Sequence, residues 1–99
     1  MFDKDAIKKE LIEGSNIILK RYDEDDIVKT ISIMNTKDKV IFLGSLRVYN
    51  ERNVKNIENA LENSFEDYGK ITIRSSKVTP CCSMPYIHVT FHINIDELL

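Results

Sequence analysis

The chain has 99 residues, of which 42% are hydrophobic and 30% charged, enough for one domain (residues 1–99) with its own core. Fourteen Lys and Arg against 16 Asp and Glu leave a net charge of −2, which excludes a disordered polyelectrolyte and a bulk polycation for nucleic acid. No apolar run approaches the ~20 residues of a membrane span, so no membrane role is expected. The opening residues alternate charged and apolar side chains, unlike a signal peptide. The two cysteines are therefore expected as reduced thiols in the cytoplasm. Ile, Lys and Asn dominate the composition, a codon bias that points to a low-GC bacterium or one of its phages.

Asp3 caps a first helix, Phe2 and Ile7 have hydrophobic-staple spacing, and Gly14 is read as its stop. Ile17, Ile18 and Leu19 suit a strand over 15–22, although Ile7, Leu11, Ile18 and Tyr22 also fit a helix running on through Gly14. Asp23 to Asp26 reads as a solvated acidic connector, since no glycine shapes it into a cation loop. Ile27 to Asn35 alternates like a strand, and the turn Asn35 to Asp38 leads into a partner strand, Lys39 to Tyr49. Asn50 caps a second helix whose apolar stripe is Val54, Ile57, Leu61, Phe65 and Tyr68, with Gly69 as the left-handed stop. Ile71 and Ile73 alternate with Lys70, Thr72 and Arg74. In the last strand Ile87, Val89, Phe91, Ile93 and Ile95 share one face, while Tyr86, His88, Thr90, His92 and Asn94 take the other.

The expected fold is α+β. A mainly antiparallel sheet of four to five strands carries two helices on one face, in the order α-β-β-β-α-β-β. The uncovered face then shows Lys70, Thr72, Arg74, Tyr86, His88, Thr90 and His92. Ile41 and Leu43 pose a choice. Either they form an apolar patch on that face, or Gly44 marks a bulge that shifts the register. Charge follows the same division. Residues 1–26 carry five basic and eight acidic groups and residues 51–68 two and five, whereas 27–50 carry four and one.

Cys81, Cys82, His88 and His92 lie within twelve residues, a possible zinc set by type. The spacing opposes it, because His88 and His92 sit about 13 Å apart on a strand that rises ~3.3 Å per residue. No metal and no cofactor is expected. The loop Ser75 to Pro85 is more suggestive. Pro80 and Pro85 bracket Cys81, Cys82, Ser83 and Met84, giving a stiffened tip with a soft apolar side chain. His88-Val89-Thr90-Phe91 resembles one half of the His-x-Thr-x signature of two-histidine phosphoesterases, in which His and Thr from one strand face touch a phosphate. That family uses two such motifs, and Asn94 stands where a second hydroxyl after His92 would be needed.

These features lead to a non-catalytic binding module, a regulatory or inhibitory protein that uses the sheet face, the loop (Cys81, Cys82, Met84), or both. Its partner is expected to be a protein, with self-association into a homodimer through the sheet or an unpaired edge. The alternatives are nucleic-acid or nucleotide binding on the same face, with Tyr86 stacking on a base, and a phosphoesterase-like enzyme using His88 and Thr90.

Overall fold

The computed structural model describes residues 3–96, the side chain of Asp96 excepted. Its order is α1 (Lys4–Arg21), β1 (Ser32–Asn35), β2 (Lys39–Val48), a 3₁₀ turn (Glu51–Asn53), α2 (Val54–Phe65), β3 (Lys70–Val78) and β4 (Tyr86–Asp96). The four strands form one antiparallel sheet in the order β1-β2-β4-β3. The α+β expectation holds, with four strands in the order α-β-β-α-β-β. Phe2 of the proposed staple lies outside the described residues.

One expected strand is not a strand, and another is shorter than expected. Residues 15–21 continue α1, with Tyr22 as its C-cap, and Gly14 lies inside that helix. A Cβ at Gly14 would stand 2.8 Å from Cε1 of Phe65, so the glycine lets α1 press against α2. Mid-helix glycine costs about 1 kcal/mol relative to Ala, and this close packing offsets it. Ser15 is buried, and its hydroxyl donates to the Leu11 carbonyl at 2.7 Å. Ile18 and Leu19 enter the core, while Ile17 remains 59% exposed. The run that resembled a strand is thus one buried pair on a helix face.

Asp23 makes the actual stop, at φ 57°. Its N–H donates to the Lys20 carbonyl and that of Glu24 to the Leu19 carbonyl, the two bonds of a Schellman motif. None of the described glycines is left-handed, so neither Gly14 nor Gly69 has the role its position suggests.

The segment expected as a strand from Ile27 pairs only over Ser32–Asn35. Side chains hold its earlier part. The Asn16 amide accepts from the Val28 N–H at 2.7 Å and donates to the Val28 carbonyl at 3.0 Å. Asp26 accepts from the Arg47 N–H at 2.7 Å. Val28 and Ile31 are thereby fixed in the core with no ladder.

The central pair β2 and β4 runs unbroken from Lys39↔Asp96 to Val48↔Ile87, so there is no bulge at Gly44. Gly44 instead faces Phe91, whose ring occupies the space a Cβ would need. Phe65 of α2 packs on the same ring, with centroids 5.6 Å apart. One core draws on both helices through Leu11, Ile18, Leu19, Ile57, Leu61 and Phe65. Its sheet side is Val40, Phe42, Leu46, Val48, Val89, Phe91 and Ile93. Just beyond α2, the Tyr68 hydroxyl donates to Glu10 in the middle of α1 at 2.7 Å. That bond, then burial, raises the Tyr68 hydroxyl above its ordinary range. No described helix is long and apolar enough to cross a membrane.

Gly44→Ala should cost about 1–3 kcal/mol in urea unfolding, the penalty of overfilling a packed core. Combining it with Phe91→Leu should cost less than the two single changes added, by about 1 kcal/mol. Strict additivity would show that the two residues do not fix one another.

Candidate binding face and the cleft at its end

Because the helices cover one side of the sheet, the period of two in each strand presents the alternate residues on the other side. The register sets them in rungs. Ile41 lies beside Met34 and Asn94, and Asn94 beside Lys70. The next rung is Ser32, Leu43, His92 and Thr72. Then come Ser45, Thr90 and Arg74, followed by Arg47, His88 and Ser76. Val78 and Tyr86 close the far end.

The structure therefore places Lys70, Thr72, Arg74, Tyr86, His88, Thr90 and His92 together on the uncovered face. Lys70, Thr72, Arg74 and His92 are exposed, and Tyr86, His88 and Thr90 are half-buried among their neighbours. With no bulge at Gly44, Ile41 and Leu43 share this face. They form an apolar corner with Met34, itself 50% exposed. The rungs from Ile41 to Arg47 carry no carboxylate; beyond them the register runs on to Lys39↔Asp96, a rung of the same parity.

At the far end the face runs into a cleft of about 640 Å³ lined by Asp25, Asp26, Arg47, Tyr49, Pro80, Ser83, Met84 and Tyr86. The Arg47 guanidinium lies 4.8 Å above the centre of the Tyr86 ring, a cation–π contact. The Tyr49 and Tyr86 rings are 5.9 Å apart. Hydrogen bonding to the Tyr49 side chain, then the nearness of Tyr86, raises Arg47 above its ordinary value. The cation–π contact sets the guanidinium over Tyr86 at the mouth of the cleft.

The loop forms the other wall. It is shorter than the sequence suggested, spanning 79–85, because β3 stays paired as far as Val78. Met84 is 70% exposed at the cleft. Cys81 and Cys82 are exposed free thiols and do not line it. Among the described residues no group of three or more His, Cys, Asp or Glu is placed to hold a metal ion.

The acidic stretch is not simply a solvated connector. Glu24 is 9% exposed. Its carboxylate accepts from the N–H of Tyr49 at 2.7 Å, the N–H of Asn50 at 3.3 Å and the Asn53 amide at 2.7 Å. It latches the end of β2 to the turn that starts α2, and Asp26 clamps Arg47 one rung away. The sequence reading missed Glu24, Asp26, Arg47 and Tyr49. Arg47 and Tyr49 had a signal, since they continue the parity of Ile41 and Leu43 along β2. Nothing local marked Glu24, whose partners lie 25 or more residues away.

The His-x-Thr pair sits on the face, with His88 between Arg47 and Ser76 and Thr90 between Ser45 and Arg74. His92 lies between Leu43 and Thr72. The Thr90 hydroxyl donates to the Arg74 carbonyl at 3.4 Å, a long bond that does not aim it at a substrate. No protein-family model, curated protein or solved structure gives a significant match to this chain.

Glu24→Ala strands two backbone N–H groups and one amide, and should lower stability by about 2–4 kcal/mol. Glu24→Gln, which keeps an acceptor, should cost about half as much in the same thermal melts. A loss below about 0.5 kcal/mol for the alanine variant, the range of ordinary surface changes, would remove the latch from the account.

Proposed function

We propose that this chain is a non-catalytic binding module that docks a protein partner carrying acidic and apolar side chains on the open sheet face. One observation carries the reading. The face's rungs from Ile41 to Arg47 hold Arg47, Lys70, Arg74 and two histidines and no carboxylate, beside an apolar corner of Met34, Ile41 and Leu43. Solvent alone gives an apolar corner no favourable partner, and such a patch rimmed by polar groups is the usual form of a protein contact. Single-sign charge beside it steers an acidic surface in and sets its orientation. A module that acts by occupying a partner's surface regulates or inhibits rather than transforms it. The two exposed thiols suit a reducing, cytoplasmic compartment.

A nucleic acid would use the cations but leave the apolar corner empty. It would also find the Tyr86 ring already covered by Arg47 and flanked by Tyr49. A second copy of the chain fits less well than a foreign protein, because two such faces brought together oppose cation to cation.

The test uses the protein that the chain captures from its host, purified and titrated by calorimetry. Arg47→Glu and Leu43→Asp, both on the face and outside the core, should each weaken that complex at least about tenfold. Lys55→Glu on α2 should leave it unchanged. Equal binding by all the variants, or release of the captured material by nuclease, would overturn the proposal.

A further inference from the structure

The sheet has two edges, and they differ. β1 is four residues long, and its last residue is tied to α1 by a bond from Lys4 Nζ to Asn35 Oδ1 of 2.8 Å. β3 is nine residues long and pairs only with β4, in unbroken register from Lys70↔Asn94 to Val78↔Tyr86. It has no proline and no bulge, the usual devices that blunt an edge. Its guard is charge: Lys70 and Arg74 on the open face and Lys77 on the other, the last paired with Glu51 at 3.3 Å across exposed surface.

This guard is selective. Two copies of β3 laid antiparallel in full overlap would put Arg74 opposite Arg74, and directly opposed like charges destabilise a strand pair. An acidic strand meets the opposite situation. Lys70 and Arg74 lie on one face four residues apart, with Thr72 between them. Ile71 and Ile73 point to the helix side, half-buried at the margin of the core.

We infer that the β3 edge receives an extended segment of the partner as a fifth strand, with the pattern acid, apolar, Thr, apolar, acid. This rests on the reading of the face as a dock for an acidic protein, and it names how part of that protein is held. The backbone of β3 supplies hydrogen bonds along the added strand, as in other strand-addition complexes. The two carboxylates meet Arg74 and Lys70, and the apolar pair extends the core over Ile71 and Ile73. A strand whose acids are two apart sets one of them beside Thr72 or Ser76, where no cation waits, whereas acids three apart would still meet Arg74 and Lys77 on opposite faces.

The probe is a synthetic peptide, Glu-Val-Thr-Val-Glu flanked by threonines, against a peptide of the same composition with its glutamates two apart. The matched peptide should bind roughly two- to fivefold tighter, the effect of the one cross-strand pair that the other spacing loses. It should also slow hydrogen exchange along 70–78. The double variant Lys70→Glu and Arg74→Glu, both exposed positions, should lose that preference and favour a peptide with lysines in place of the glutamates. Circular dichroism confirms that the variant is folded. Equal affinity for the two spacings, or no reversal of preference in the double variant, overturns the edge proposal. If that happens while Arg47→Glu still weakens the natural complex, the face reading stands without the edge. If Arg47→Glu and Leu43→Asp leave the natural complex untouched, the face reading itself is wrong.

Discussion

The contact between Gly44 and the Phe91 ring sets the rest of the structure. In a sheet of period two, a slip of one residue moves every side chain to the opposite face. Phe91 needs a neighbour without a Cβ, and in β2 only position 44 supplies one. With Phe91 seated there and Phe65 packed over it, Val40, Phe42, Leu46 and Val48 fall under the helices. Arg47, Leu43 and Ile41 fall on the other side by the same step. The face therefore owes its composition to a packing event on the side that it does not share.

The helical half reinforces that division. Gly14 admits Phe65 close to α1, and the carboxylates of Glu24 and Asp26 are spent on backbone N–H groups of 47, 49 and 50. Two of the four acids in the connector thus become fasteners at the end of β2. They hold Arg47 and Tyr49 where the face meets the cleft. Charge separation between the helical and strand segments follows from these placements, and it gives a chain of small net charge one basic side.

Much of this was legible in the sequence wherever a single period governs a segment. Alternation in 86–95 and the 3.6-residue stripe from Val54 to Phe65 identified β4 and α2 and the face each buries. Asp3 behaved as its type suggests, accepting from the N–H groups of Asp5 and Ala6. Residues 15–22 were misread because Gly14 has a tertiary reason to be in a helix, and the Phe65 ring that supplies it lies about fifty residues away. The span 27–31 was misread because side-chain amides and carboxylates can fix an extended chain as firmly as a ladder does. The Gly44 ambiguity turned on one ring in β4, which local pattern in β2 cannot reveal. For the site, the face residues of β3 and β4 followed from parity. The cleft did not, since it forms where the 79–85 loop, the connector and the end of β2 converge.

Relaxation by a neutral, soluble gadolinium chelate, read proton by proton in the NMR spectrum of the free chain, tests the two-sided sheet most directly. Side-chain protons of Thr72, Arg74, His88 and His92 should broaden strongly, while those of Val89, Phe91 and Ile93 on the same strands stay sharp. Protection of the first set together with the second would mean that the proposed working face is covered in solution, and the account would fail.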